Sequence, residues 1–293
     1  MTSVPAGENL ELQLCYVRLG LQEPGAAATF VTDILGLQAV PNDLGEHLFR
    51  SDERAHTLCL TDQSEPPAIG IELLAEVDLD AIGTRIREAG FDARTATDEE
   101  CRRRNVRHAL LVRDASGNAI DLVVRPARSG RRYFPSRDAG VIGLQGIGLR
   151  SRNVSEDLKL WTAILGARVS DWVGDVAYLA IDEKHHRIGL YPSDRAGLVY
   201  VSFAVESLDA IMQNNYFAQE RQIKILHGPG REPASGQMFL RFAGPEGHVF
   251  SYGYGMSDIG AKHRCRQFSP VPSSLCEWGS DCSEIPELQR AVG

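Results

Sequence analysis

The chain has 293 residues, 43% of them hydrophobic and 24% charged, which is enough for two ordinary domains with separate cores. A formal net charge of -8 argues against nucleic acid and anionic membrane surfaces as partners, since both would repel an acidic protein. No apolar run approaches the ~20 residues of a membrane span, and the opening MTSVPAGENLELQL lacks the basic and apolar regions of a secretory signal, so a cytoplasmic protein is expected.

Residues 1–10 read as a flexible start. The run LQLCYVRLG then alternates like a half-buried strand. An Ala-rich amphipathic helix follows and stops at the Leu-Gly of DILGL, where Gly36 can take the left-handed cap conformation. HTLCLT and IGIELLAEV read as the next strands, and LDAI (residues 79–82) opens a second helix with Asp78 as N-cap. The arginine run at 102–104 reads as a solvated loop, and NAIDLVV as the last strand after a Gly turn. Residues 125–140, RPARSGRRYFPSRDAG, have the composition of a linker. The succession then returns: IGLQGIGLR, a helix ending at Gly166, HHRIGLYP, LVYVSFAV, a helix at 208–211 capped by Ser207, and HVFSYGYG. Gly228, Pro229 and Gly230 read as a turn. Past about Gly255 the pattern ends in a tail containing RQF and SLCEWG.

Shifted by 130 positions, the chain matches itself: Tyr16 falls on Gly146, Gly36 on Gly166, His56 on His186 and Gly117 on Gly247. With one residue of slippage the two LDAI runs also coincide. Four landmarks in one register indicate an internal duplication. The expected units are a first module over 11–124, a linker over 125–140, a second module over 141–256 and a tail over 257–293. No CxxC pair occurs among the six cysteines, so a zinc ribbon has no support. Cys265, Cys276 and Cys282 crowd into the tail, where a disulfide or metal is an alternative to the free thiols expected without export. There is no GxGxxG after a strand, no Walker loop, no HExxH and no GxSxG.

The runs DEKHHRIGLYP, AVESLDAI, HGPGREP and GPEGHVFSYGYG, with RQF, SLCEWG and the first copy's DASGNAIDL, resemble the type I extradiol ring-cleavage dioxygenases. These are the 2,3-dihydroxybiphenyl dioxygenase-like members of the vicinal-oxygen-chelate (glyoxalase/bleomycin-resistance) superfamily. The resemblance covers essentially the whole chain through short motifs. It implies an α+β fold of two tandem vicinal-oxygen-chelate modules, each of paired βαβββ units forming a half-open barrel. The first module would be non-catalytic, the second would hold the active site, and the protein would be a homo-oligomer acting on an aromatic or phenolic small molecule.

In that family two His and one carboxylate hold Fe(II) or Mn(II), leaving positions open for catechol and dioxygen. Carried over residue by residue, the ligand positions fall on Gly146, Tyr200 (or Val199 beside it) and Ser251. Their counterparts in the first module are Tyr16, Ile71 and Asp121. Gly offers no ligand atom, and neutral Ser and Tyr are poor ligands for Fe(II), so no metal cofactor is expected.

His186 falls on the family's acid/base His, which is not a ligand, and an ordinary pKa near ~6.5 suits proton transfer at neutral pH. A strand His with satisfied nitrogens is the plain alternative, favoured by His56 at the same place in the other copy. Tyr200 would donate to an oxyanion, and Ser251 would hydrogen-bond a ligand; core packing competes for both. Glu232 stands where the family has a second pocket His, Arg241 near a pocket Tyr, and Arg150 on the face of Gly146. Each of these three charges is equally readable as a solvated one. Three functions follow. The leading one is a metal-independent enzyme with His186 and Tyr200 catalytic, and Ser251, Arg241, Glu232, Gly146 and Arg150 around a phenolic or enolised aromatic. The second is a non-catalytic binding protein for a drug or aromatic metabolite. The third is a true Fe(II) dioxygenase with ligands relocated to His185, His186 or Glu232.

Overall fold

In the first module the alternating runs form β1 (Leu12–Leu21), β2 (Gln38–Val40), β3 (His47–Arg50) and β4 (Leu58–Asp62), with α1 (Pro24–Asp33) after β1. A second βαβββ unit follows: β5 (Ala68–Leu73), α2 (Leu79–Glu88), β6 (Asp92–Thr95), α3 (Asp98–Arg104), β7 (Val106–Arg113) and β8 (Ala119–Pro126). The structure, a computed structural model, describes residues 10–63, 66–75 and 78–292, so nearly all of the expected flexible start lies outside the described residues. The eight strands make one sheet in the order β2-β3-β4-β1-β5-β8-β7-β6. β1 runs parallel to β4 and antiparallel to β5, and β5 runs parallel to β8, so each unit closes on its own first strand.

The second module repeats the plan with β9 (Val141–Ser151), α4 (Val154–Leu158), β10 (Arg168–Val173), β11 (Val176–Ala180), β12 (Ile188–Pro192), β13 (Leu198–Val205), α5 (Leu208–Glu220), β14 (Ile225–Arg231), β15 (Met238–Ala243) and β16 (Val249–Tyr254). α4 runs on as a π-helical turn over Lys159–Ile164. The strand order, β14-β15-β16-β13-β9-β12-β11-β10, is that of the first sheet, extended at its edge by β17 (Arg266–Phe268) of the tail. The fold is α+β, two modules each built of paired βαβββ units.

Local chemistry explains the helix ends. Asp78 accepts hydrogen bonds from the N–H groups of Asp80 and Ala81, and Ser207 from that of Ala210, so both expected N-caps form. Gly36 and Gly166 take positive φ where α1 and the π-turn stop. Two sequence expectations are corrected. The arginines at 102–104 belong to α3, which Thr97 and Glu100 start as a capping box and Asn105 ends in the left-handed region. Gly228, Pro229 and Gly230 lie within β14 rather than in a turn, at an irregularity in its pairing with β15.

One apolar cluster runs through both modules, from Leu14, Val17 and Leu19 to Ile147, Leu149, Phe203 and Phe250. The rings of Phe30 and Phe250 lie 5.8 Å apart across the module boundary, and the Tyr252 hydroxyl donates to the Ile34 carbonyl at 2.9 Å. A separate cluster joins Tyr178, Tyr191, Val199 and Tyr200 of the second module to Leu275, Ile285, Leu288 and Ala291 of the tail. The last two belong to α7 (Pro286–Val292), which follows the short α6 (Pro272–Leu275). The tail therefore closes the inner face of the second sheet. All six cysteines are free. No described helix is long and apolar enough to cross a membrane.

Candidate active site in the second module

Strand register assembles the site. Across β14, β15, β16, β13 and β9, the residues His227, Arg241, Ser251, Ser202 and Gly146 stand opposite one another in turn. Directly opposed residues share a sheet face, so this row meets on the concave side. Tyr200, opposite Gly148, joins it, and a Cβ at Gly148 would lie only 2.7 Å from the Tyr200 ring. That glycine is thus what admits the tyrosine.

Arg241 is the centre of charge. Its Nη2 donates to Glu232 Oε1 at 2.6 Å, and its Nη1 lies 2.9 Å from His227 Nδ1. The guanidinium stacks 4.7 Å from the Tyr200 ring centre and 4.2 Å from that of Phe239. Burial and the Arg241 charge hold the His227 pKa down to about 2, so the imidazole is neutral and its Nδ1 accepts from the guanidinium. Burial raises the phenols of Tyr178, Tyr191 and Tyr200 well above their ordinary pKa, keeping all three protonated. The Tyr191 and Tyr200 hydroxyls stand 3.3 Å apart.

His186 sits at the end of a second chain of contacts. Asp171 Oδ2 lies 2.8 Å from His185 Nε2, His185 Nδ1 lies 3.1 Å from His186 Nδ1, and His186 Nε2 faces Glu232 Oε2 at 3.9 Å. Tyr178 stacks on the His186 ring at 4.4 Å. Burial pushes both histidines below the ordinary His pKa, although Asp171 counters it at His185. Burial also works against the Asp171 carboxylate, but hydrogen bonds from Arg266 and His185 outweigh it and keep it ionised. The tautomers follow from these charges. A carboxylate only accepts, so His185 Nε2 carries the proton and its Nδ1 accepts from His186 Nδ1–H. His186 Nε2 is left with a free lone pair.

The sequence-derived residues thus divide. His186, Tyr200, Ser251, Arg241, Glu232 and Gly146 share the concave face and are all buried. Arg150 does not join them: its Nε donates to Glu287 of α7 at 2.6 Å, and its guanidinium also contacts the Leu198 carbonyl. It ties the tail down instead of facing a ligand. The Ser251 hydroxyl donates to the neighbouring Tyr252 carbonyl at 3.3 Å.

The row Gly146, Tyr200 and Ser251 does not fit a divalent ion. A Cβ at Gly146 would come within 3.0 Å of the Arg187 carbonyl oxygen, and the Arg241 guanidinium already places a fixed cation beside Tyr200. The expectation that the chain lacks a metal site is nevertheless corrected. Asp171, His185 and His263 bring three ligand atoms within 4.8 Å of one another, two imidazoles and a carboxylate, the donor types suited to a first-row transition metal. Arg266 pairs with Asp171 there and also donates to the Ala234 carbonyl at 2.6 Å, so it holds the carboxylate in this structure. Sequence reasoning weighed His185 as a relocated ligand and quoted Arg266 in the RQF run, but missed Asp171 and His263; these residues meet only when β17 pairs with β10.

Comparison with known proteins places this geometry. Residues 143–252 match the model of the Glyoxalase/Bleomycin resistance protein/Dioxygenase superfamily. The second module is a member of that superfamily. Among relatives, biphenyl-2,3-diol 1,2-dioxygenase of Sphingomonas paucimobilis is 22% identical over 83% of this chain and 88% of its own length. 1,2-Dihydroxynaphthalene dioxygenase of Pseudomonas sp. (strain C18) is 26% identical over 57% of each chain. Superfamily structures with the same two-module fold include a halotolerant catechol dioxygenase (TM-score 0.85, 19% identity, 93% of this chain and 95% of that one). They also include the Mn(II)-bound glyoxalase from Novosphingobium aromaticivorans (TM-score 0.82, 23% identity, 93% and 92%).

Proposed function

We propose that the chain is an enzyme of extradiol-dioxygenase descent that binds a hydroxylated aromatic in the second module and uses His186 as its base. The hydrogen-bonded chain Asp171–His185–His186 carries this reading, because it leaves the His186 Nε2 lone pair directed into the barrel. A base held neutral by burial takes a ring hydroxyl proton without first losing one of its own. The proton moves to His186 Nε2, which faces Glu232 Oε2 at 3.9 Å. The oxyanion left on the ring meets Arg241 and the Tyr200 phenol, a fixed cation and a donor in a site shielded from water. Relatives named for aromatic diols support the substrate class. A divalent ion held by Asp171, His185 and His263 would take the place of the Asp171–His185 hydrogen bond and would supply Lewis-acid chemistry there, as an alternative to the proton relay. The tail packs Leu288 and Ile285 against this module.

A His186→Phe variant separates catalysis from simple sequestration. Catechol affinity should stay within about threefold while turnover falls ~10²–10⁴-fold, the usual worth of a positioned base. Unchanged turnover of catechol would remove His186 from the chemistry. In parallel, iron and manganese content is measured in the purified protein and in Asp171→Asn. Metal retained at wild-type level in the variant excludes the Asp171 cluster as its holder.

A further inference from the structure

The first module has the same concave face, and there it is open. Register across β6, β7, β8, β5 and β1 aligns Arg94, Leu111, Asp121, Gly70 and Tyr16 in one row. A cavity of about 400 Å³ lies over this row, lined by Asp121, by α3 through Glu100 and Arg104, and by Leu111, Ala119 and Ala68. The apolar tail cluster that closes the second module contains no first-module residue; at the Tyr16 end of this face α3 packs through Cys101 instead, and the cavity lies beside it.

The inner wall of this cavity backs onto a polar cluster. Asp121 Oδ2 accepts from the Tyr16 hydroxyl and from Arg104 Nε, each at 2.8 Å, and all three residues are at least nine-tenths buried. His56 stacks on Tyr16 at 5.0 Å, is 2% exposed, and has no hydrogen-bond partner for either ring nitrogen. A core built only for stability leaves few such groups unmet. Gly70 makes room for Tyr16, because a Cβ there would lie 2.6 Å from its ring, as Gly148 does for Tyr200. The cluster therefore repeats the Tyr, His, Arg and carboxylate kit of the second module.

From the cavity and this cluster we propose a second small-molecule site in the first module, for an uncharged hydroxylated aromatic. The lining sets the class. Arg94 pairs with Glu100, Arg104 with Asp121, and Arg113 stands opposite Asp92 in the register, so positive and negative charges balance. A net anion or cation gains little from such a wall. A hydroxyl both donates to carboxylate and accepts from guanidinium, and the Leu111, Ala119 and Ala68 surfaces take a flat ring. The volume lies within the range of small-molecule sites.

The test titrates the full chain calorimetrically with catechol and with 4-hydroxybenzoate, in wild type, Leu111→Trp and His186→Phe. Leu111→Trp fills the cavity; Ala119→Leu fills it from β8 should the first variant not fold. The proposal expects a catechol site that Leu111→Trp weakens at least tenfold and His186→Phe leaves intact, with 4-hydroxybenzoate binding there more weakly than catechol. Catechol binding untouched by both cavity-filling variants, or no binding up to millimolar catechol, overturns the site. Tighter binding of the anion overturns the ligand class. Catechol binding that persists unweakened in Leu111→Trp and Ala119→Leu assigns the ligand to the second module and overturns the first-module site while leaving the proposed function standing.

Discussion

Arg241 holds a full charge at 2% exposure, and it stays charged because Glu232 neutralises it and Tyr200 and Phe239 offer their ring faces. Removing one partner of such a pair strands the other in a low-dielectric interior. Arg241→Met should therefore cost ~3–5 kcal/mol in urea unfolding, whereas the double variant with Glu232→Gln should recover most of that loss. A double variant no more stable than Arg241→Met would show that the pair does not act as a unit. The histidines behave in the opposite sense, being buried in the neutral state. His56 is held at about 3 and His227 at about 2, chiefly by burial, and His185 and His186 are lowered too. Below pH ~6.5 the unfolded chain binds protons that the folded one refuses, so stability is full above that value and falls as the pH drops toward the folded values. Urea midpoints taken from pH 7.5 to 5 should decline steadily, and His56→Phe should flatten part of the slope. At this scale the sequence offered His186 and Tyr200 as inward residues and left Arg241 open between an inward and a solvated place. It did not indicate that Arg241 would bind His227, or that Asp171 would orient His185, since those pairs are 14 positions apart.

Strands with clear alternation, such as β1, β5, β9 and β13, were legible because one face of each is apolar. The short strands β2, β3 and β6 were not, since three or four residues carry no period. α3 was missed for another reason. Its DEECRRR is charged on nearly all sides, and the Thr97–Glu100 capping box was its one local signal. The tail is the element whose role was least visible. α7 buries Leu288 completely against the second module, and Arg150 clamps its Glu287. Leu288→Ala should cost ~2–5 kcal/mol and selectively speed amide hydrogen exchange in β12 and β13. Uniform acceleration across both modules would mean the tail unfolds only with the whole molecule.

The two modules meet through more than apolar contact. Asp157 of α4 accepts hydrogen bonds from the Ser116 backbone N–H and hydroxyl, and Asn118 donates to the Arg150 carbonyl. Asp114 sits within this junction, where burial and the nearby Asp157 charge raise its pKa to about 6. A carboxyl raised on folding stabilises the folded state most below its unfolded value, and that contribution is lost as the pH rises through about 6. The loss should be on the order of 1–3 kcal/mol and should vanish from the pH dependence of Asp114→Asn. An unaltered pH profile in that variant would place the titration elsewhere. Arg137, from the segment between modules, adds hydrogen bonds to the Ile34 carbonyl and Asn214, so the connection is packed rather than loose.

By itself the sequence determined the duplication, the α+β class and, in His186, Tyr200 and Ser251, part of the set that faces the second barrel. These depend on local periodicity, on glycines at fixed spacing and on a 130-residue register, all written along the chain. Only the tertiary structure decided what those residues do to one another. It turned the ligand row into a guanidinium site, gathered Asp171, His185 and His263 from three separate segments, and left one barrel closed by the tail and the other open. Local pattern fixes which side of a strand a residue takes. The field it feels there comes from partners tens of residues distant, and chain spacing does not encode those distances.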